Sequence, residues 1–286
     1  MRINAAGLPL ARRRSGWAIL AAVLAVVLPG GAKADNNWPD KVTAQYKVTF
    51  NGFDIGDFRF ESSVQSRAYS LAGSAKLSLL LGAYKWSGTT RSKGVIGDGD
   101  PKPVEHSFAY EGGSKTGSVA MSFSQGRVAD RKIEPPSSPS RRTVPLKDEH
   151  LVGVFDPLSA VMAMSRGKVD KPCDQKIPIF DGKQRFDIEL SFKRQERVTE
   201  KRPSGQPGLA YVCSVRYIPV AGHKNNNKMI ASIAENMGIE VVLRPIPSAN
   251  ILVPYKVTVP TFAGSAVLTS QRVEITTGVE QIALVH

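Results

Sequence analysis

The chain has 286 residues, of which 42% are hydrophobic, 22% are charged and 7% are aromatic. This composition is close to the average of soluble globular proteins, so it excludes a disordered tail, a collagen-like repeat and a polytopic membrane protein. Lys and Arg outnumber Asp and Glu by 38 to 25, and the formal net charge of +13 raises the question of an acidic partner.

Residues 1–34 have the three parts of a secretory signal peptide. A cationic start with three consecutive arginines precedes an apolar run from Trp17 to Leu28, and the small-residue site Ala32–Ala34 follows. The apolar run has 12 residues, whereas a membrane-spanning helix needs about 20. We therefore predict cleavage after Ala34, a periplasmic location, and a mature chain that does not span the membrane.

Removal of this segment also removes much of the excess charge. Residues 1–34 carry five cations and no acid, so residues 35–286 have a net charge of +8, which is ordinary for a soluble protein. The most basic stretch, residues 193–202, has only the adjacent Phe192 as an aromatic neighbour, whereas proteins that bind single-stranded nucleic acid interleave cations with aromatic rings. We expect no nucleic-acid partner.

Cys173 and Cys213 are the only two cysteines. An even number of cysteines in an oxidising compartment favours a disulfide. The separation of 40 positions differs from the Cys-x-x-Cys spacing of redox-active pairs. The pair therefore predicts a structural disulfide, which in the chain-entropy model stabilises the fold by about 4 kcal/mol.

Apolar and polar residues alternate through most of the mature chain. The pattern is clear from Lys41 to Phe50, from Phe186 to Phe192 and from Tyr211 to Tyr217, and it is typical of strands with one buried face. Short connections such as Asn51-Gly52 and Asp181-Gly182 join neighbouring strands as hairpins and make the order antiparallel. We predict an all-β fold, with a curved antiparallel sheet that is an open half-barrel or a β-sandwich, and one or two short helices. Alternation alone does not distinguish one curved sheet from two packed sheets.

The clearest helix begins after Asp156. Asp156 occupies the N-cap position and Pro157 the first helical position, and an apolar stripe of Leu158, Val161 and Met162 follows. Residues 228–237 predict a second short helix that ends at Gly238.

No catalytic motif is found in the sequence. No nucleophile elbow, phosphate-binding loop or dinucleotide fingerprint is present. None of the four histidines, His106, His150, His223 and His286, has another His or Cys within five residues, although zinc sites usually need such local pairing. We expect no catalytic residues, no metal site and no cofactor.

Four short segments resemble the DUF3108 family of exported bacterial proteins of unknown function. They are Tyr46–Gly56, Asp156–Ala160, Ile179–Gly182, and Val253–Val257 followed by Gly264. The resemblance implies a periplasmic all-β protein over residues 35–286 and supplies no activity. We expect one domain there, with the Pro- and Ser-rich residues 134–146 as a loop or internal boundary. The arrangement also resembles, more weakly, the curved sheets with a plugging helix of periplasmic lipoprotein carriers.

Two functions of different class fit these features. In the first, the sheet leaves an apolar concavity that binds or carries a lipid or other amphiphile. The ligand-binding residues would be inward-facing side chains, namely Tyr46, Phe60, Trp86, Phe186 and Leu190. The same side chains would equally fill an ordinary core, because alternation shows burial and not vacancy.

In the second function, the chain supports cell-envelope integrity as a structural or interaction protein. Its partner would be another envelope protein, bound through a sheet edge or through the basic residues 193–202. Neither function requires catalysis.

Overall fold

The computed structural model describes residues 38–79, 82–97, 100–136, 141–166, 171–225, 227–235, 238–261 and 263–286. The predicted signal peptide lies outside the described residues, so its cleavage stays a prediction, as does the division into a signal peptide and one domain. The end of the predicted second helix, residues 236–237, also lies outside them.

Seven strands precede the Pro- and Ser-rich segment. They are β1 Lys41–Phe50, β2 Phe53–Gln65, β3 Ala68–Leu79, β4 Tyr84–Gly97, β5 Asp100–Gly112, β6 Lys115–Ser124 and β7 Arg127–Glu134. Seven further strands follow that segment. They are β8 Gln175–Phe180, β9 Arg185–Arg197, β10 Leu209–Ala221, β11 Glu240–Ile246, β12 Ile251–Thr261, β13 Gly264–Thr276 and β14 Gln281–Val285.

Two helices accompany the strands. Helix α1 spans Pro157–Ser165 and helix α2 spans Lys228–Glu235. The first begins as the sequence predicts, with Asp156 as the N-cap residue and Pro157 at the first position. Short 3₁₀ turns lie at Asp148–Leu151 and Pro247–Ala249.

The strands form one antiparallel sheet. Its order is β7-β6-β5-β4-β3-β2-β1-β13-β12-β11-β10-β9-β8, and β14 pairs with β13. β1 joins the two groups of strands, because it pairs with β2 on one side and with β13 on the other. The prediction of an antiparallel all-β fold is confirmed. Of the two arrangements that the sequence left open, one curved sheet or two packed sheets, the structure has the single sheet.

The sheet curls around α1. This helix contacts β3, β4 and β5 and also β8 and β12. β4 and β8 stand nine places apart in the sheet, which in a flat sheet would be about 43 Å. A helix of nine residues is only about 14 Å long. The concave face must therefore surround the helix.

Residues 152–155 link the two edge strands. Val152 forms a bridge with Arg127 of β7, and Phe155 forms one with Ile179 of β8. The amide of Phe180 donates a hydrogen bond of 2.9 Å to the Phe155 carbonyl oxygen. Among the described strands β7 and β8 do not pair with each other, so this segment stands where a closing strand pair would be.

The core lies mainly on the concave face. On β1 the inward residues Ala44 and Tyr46 are buried, whereas Gln45 between them is exposed. On the opposite face of β10 and β11, Val212 and Val242 are buried against Val198. The alternation read in the sequence thus marks the concave face along much of the sheet.

Candidate functional site: an apolar cavity beneath helix α1

A cavity of about 140 Å³ lies between α1 and the centre of the sheet. Strands β1, β2, β12 and β13 form its floor, and α1 covers it. Large apolar and aromatic side chains line it, among them Tyr46, Phe58, Phe60, Val161, Met162, Val257 and Leu268. Trp38, at the start of the described chain, is buried and also lines the cavity.

The cavity exists because β12 and β13 separate. They pair from Lys256 to Thr261, but β12 from Ile251 to Pro254 pairs only with β11. On the other side of the gap, β13 pairs with β14 from Arg272 onward. Ile251, Val253 and Val273 belong to the separated parts of β12 and β13, and all three line the cavity. Pro254 fits here because its missing N–H faces a position with no neighbouring strand.

A hydrogen bond ties the fork to β1. The Tyr46 hydroxyl donates to the carbonyl oxygen of Pro254 at 2.9 Å. Burial raises the pKa of Tyr46 well above its ordinary value, so the phenol stays neutral. The other polar side chains of the lining are Ser62 and Ser165, and the latter donates to the Val161 carbonyl oxygen at 3.0 Å. Among the described residues that line the cavity, none is charged.

Buried polar side chains fix the beginning of α1. Asp156 is fully buried, and its Oδ1 accepts hydrogen bonds from the amides of Leu158 and Ser159 at 3.0 Å. The Ser92 hydroxyl donates to the same oxygen at 2.6 Å, and the Ser159 hydroxyl donates to Oδ2 at 2.5 Å. His106 Nδ1 lies 3.1 Å from Oδ1. The helix start is therefore bonded to β4 and β5.

These groups determine the charge of Asp156. Burial by itself raises the pKa of a carboxyl, but the hydrogen bond and charge of His106 and the hydroxyls of Ser159 and Ser92 outweigh it. The pKa of Asp156 is lowered as a result. The helix cap is thus held as a carboxylate.

Ser92, His106 and Asp156 do not have the geometry of a catalytic triad. In a triad the serine and the carboxylate contact opposite nitrogens of the imidazole. Here Ser92 Oγ and Asp156 Oδ1 both lie near the same nitrogen, Nδ1, at 2.9 and 3.1 Å. All three side chains are buried. The arrangement positions the helix and does not present a nucleophile.

The end of α1 is held by different contacts. The Arg166 guanidinium lies over the Trp38 ring at 5.0 Å from its centroid. The side-chain amide of Gln175 donates a hydrogen bond of 3.2 Å to the Met164 carbonyl oxygen. Shortly after the helix, Cys173 forms a disulfide with Cys213 of β10, with a Cα–Cα distance of 5.4 Å, as the sequence predicts. The cover of the cavity is thus attached to the sheet at both ends.

The five side chains predicted as ligand-binding residues do not lie together. Tyr46 and Phe60 line the cavity. Trp86 instead stacks on Tyr110, with ring centroids 6.5 Å apart. Phe186 packs on Tyr217, and Leu190 is buried beside the disulfide. Whether any of the five contacts a ligand stays a prediction.

Sequence reasoning missed most of the lining. Pro254, Val257 and Leu268 lie in β12 and β13, and nothing in their local pattern shows that these two strands separate. Val161 and Met162 belong to the predicted helix stripe, which does not show that the helix covers a cavity. Only Pro254 and Pro260 in β12 are a local sign of irregular pairing.

The described part of the chain contains no group of three or more His, Cys, Asp or Glu side chains placed to hold a metal ion. Within the same ranges no helix is both long enough and apolar enough to cross a membrane.

Comparisons with known proteins place these features in context. A family model described as a protein of unknown function, DUF3108, matches residues 45–280. No curated protein matches the chain. The crystal structure of a β-barrel-like protein of domain of unknown function DUF1849 from Brucella abortus is similar, with a TM-score of 0.53 and 12% identity. The alignment covers 83% of this chain and 98% of that chain. At this identity the likeness shows the fold alone.

Proposed function

Because the chain belongs to the DUF3108 family, whose function is unknown, we propose its function from the cavity beneath α1. The protein is a non-enzymatic binding module of the periplasm that holds the apolar part of an amphiphilic ligand. The observation that carries this proposal is the uncharged, almost wholly apolar lining of a cavity located between the sheet and its covering helix.

The lining favours hydrocarbon over polar groups. Moving apolar surface out of water is favourable by about 25 cal/mol per Å². A charged or strongly polar ligand group would lose its water without finding a partner, because the Tyr46 hydroxyl is already bonded to Pro254. The cavity therefore suits an aromatic ring or an acyl segment.

The volume limits what enters. An engineered cavity of about 150 Å³ in another protein binds benzene, whereas sites for whole drug-sized ligands measure about 300–1,000 Å³. At about 140 Å³ this cavity holds one ring or a short acyl segment. A longer chain would continue along the half-buried side chains of Phe58, Val257 and Leu268, with its polar head in water.

Competition binding with a matched pair of variants tests the proposal. Val161 is half-buried on α1 and lines the cavity, so Val161→Phe fills part of it. Val104 on β5 is exposed and does not line it, so Val104→Phe adds the same atoms elsewhere. We expect saturated fatty acids to displace a fluorescent apolar probe from the wild type and from Val104→Phe.

Val161→Phe should bind the probe and the fatty acids about tenfold more weakly, with unchanged circular dichroism. Native mass spectrometry of protein from a detergent-free periplasmic extract should show a bound amphiphile. Equal affinity in both folded variants, or no saturable binding by the wild type, would overturn the proposal.

The interaction-protein alternative gains no specific support from the structure. Lys193 Nζ lies 2.6 Å from the carboxylate of Glu240, and Arg194 Nη1 lies 3.2 Å from it. The basic stretch therefore presents less free positive charge than its sequence indicates. At the sheet edges, Phe155 already pairs with β8.

A further inference from the structure

A second and larger cleft lies away from the cavity beneath α1. Its walls are β7, residues 141–146, the β8–β9 turn, residues 222–224 and the beginning of α2. The volume is about 940 Å³, and it shares no lining residue with the apolar cavity. This volume lies within the range of small-molecule binding sites.

The charge of this cleft is positive. Arg131, Arg141, Lys183 and Lys224 line it, and no Asp or Glu does so among its described lining residues. In the part of the chain that the structure describes, none of these four forms an ion pair, although many other cations do. Four exposed cations without a described ion-pair partner around one concavity raise the local concentration of anions.

Two acids that adjoin the cleft in sequence have other partners. Glu134 at the end of β7 is paired with Lys132 at 2.6 Å. Asp181 in the β8–β9 turn accepts hydrogen bonds from the backbone amides of Lys183 and Gln184 at 2.8 and 2.6 Å. In the described part of the chain, neither carboxylate forms an ion pair with a cation of the cleft.

Backbone hydrogen bonds fix the walls relative to each other. The amide of Val144 donates to the His223 carbonyl oxygen, and the amide of Gly222 donates to the Val144 carbonyl oxygen, both at 2.9 Å. Arg131 Nη1 donates to the Gly182 carbonyl oxygen at 2.9 Å. The cations are thus arranged on a preformed surface, which reduces the entropy lost on binding.

Two polar atoms of the wall, His223 Nδ1 and Gln184 Oε1, are buried and form no hydrogen bond with the described residues. Apolar side chains, including Ile133, Leu146 and Ile230, complete the lining.

We propose that this cleft binds a phosphate ester, with the phosphate oxygens near the exposed cations Arg131, Arg141, Lys183 and Lys224. Arg and Lys are the side chains that proteins use for phosphate, and hydrogen bonds between charged groups are the strong ones. The ester is either a soluble compound or the headgroup of a lipid. The proposal is independent of the apolar cavity.

Binding measurements on paired charge variants test the proposal. Lys183→Glu/Lys224→Glu reverses two cations of the cleft. Lys76→Glu/Lys85→Glu reverses two exposed cations of β3 and β4 that line neither site, so the net charge changes equally. The soluble probe is glycerol 1-phosphate, measured by calorimetry. The membrane probes are vesicles of phosphatidylglycerol with phosphatidylcholine, and vesicles of phosphatidylcholine alone.

We expect saturable binding of one phosphate probe by the wild type and the control. The cleft variant should lose affinity for it about tenfold or more. Binding of glycerol 1-phosphate identifies a soluble ligand, and selective binding of phosphatidylglycerol vesicles identifies a headgroup. No saturable binding of either probe, or an equal loss in both variants, would overturn the proposal. Fatty-acid binding by the cleft variant should equal that of the wild type, which separates this site from the cavity beneath α1.

Discussion

Tyr46 and Pro254 are 208 positions apart in the chain, yet the hydroxyl of the first donates a hydrogen bond of 2.9 Å to the carbonyl oxygen of the second. This bond connects β1 to β12 where β12 leaves β13. It supplies a partner to a carbonyl oxygen on the open side of the fork.

Replacement of Tyr46 by Phe should therefore destabilise the protein. The substitution leaves the Pro254 carbonyl oxygen without its partner in an apolar surrounding, which costs about 1–3 kcal/mol. Urea unfolding followed by fluorescence measures the change. Tyr84→Phe is the control, because Tyr84 is exposed and should change the unfolding free energy by less than about 0.5 kcal/mol. Equal effects of the two changes would show that the hydrogen bond contributes nothing.

The N-cap of α1 gives a second prediction. Asp156→Ala removes a helix cap worth about 1 kcal/mol and leaves Ser92, Ser159 and His106 without their buried partner. We expect a loss of about 3 kcal/mol in the unfolding free energy. Asp148→Ala, in the exposed first turn of a 3₁₀ helix, should change it little. A loss below about 1 kcal/mol for Asp156→Ala would contradict the role assigned to this cluster.

The lowered pKa of the Asp156 carboxyl predicts that the free energy of unfolding falls in acid. Its pKa in the folded protein lies below the ordinary value of 3.8, so the unfolded state binds the proton more tightly. The stability from Asp156 is fully present above that ordinary value and is lost as the pH falls through the folded pKa. The measurement is the unfolding free energy between about pH 5 and about pH 2.5, a range that includes the ordinary pKa of an aspartic acid side chain, about 4. Over this range the unfolding free energy should fall more steeply for the wild type than for Asp156→Asn.

Asp54 provides the comparison for this experiment. Its pKa is also lowered, by hydrogen bonds from Lys47 and from the backbone amide of Gly56, but its side chain is exposed. Asp54→Asn should leave the acid dependence nearly as steep as in the wild type. Identical profiles for the wild type and Asp156→Asn would be inconsistent with a stabilised carboxylate at position 156.

The disulfide gives a fourth prediction. Cys173 and Cys213 are joined across 40 positions, and both are buried. Reduction should lower the unfolding free energy by about 2–4 kcal/mol, because the unfolded chain regains the freedom of that loop. Cys173→Ser/Cys213→Ser should match the reduced wild type and show no further response to reductant. A wild type with the same melting temperature in both redox states would refute the stabilising role.

Local patterns were sufficient for the helix start and for the strands. Asp156 and Pro157 are adjacent in the chain and determine where α1 begins, so a short window of sequence contains the information. Their buried partners Ser92 and His106 are 64 and 50 positions away, and no local pattern indicates that they meet the cap. The long-range part of the cluster depends on how β4 and β5 are placed beside the helix.

The fork between β12 and β13 and the buried ion pair of Arg244 with Glu200 also depend on contacts between distant parts of the chain. Neither could therefore be predicted from a local pattern. Strand alternation is unchanged whether β13 pairs with β12 or with β14, so the separation that creates the cavity leaves no local trace. Arg244 looks like an exposed cation in a strand of the sequence. It is fully buried, and Glu200 from the loop between β9 and β10 forms an ion pair with it.

The pairing of β1 with β13 has a consequence for the order of assembly. Lys41 lies opposite Thr276, so this edge of β1 stays without a partner until β13 has been synthesised. β1 to β7 can pair as successive hairpins as they emerge, whereas the junction of the two halves is a contact of very long sequence separation and forms slowly. Until then β1 is an open edge that can pair with another chain, so protection from aggregation is needed most during this interval.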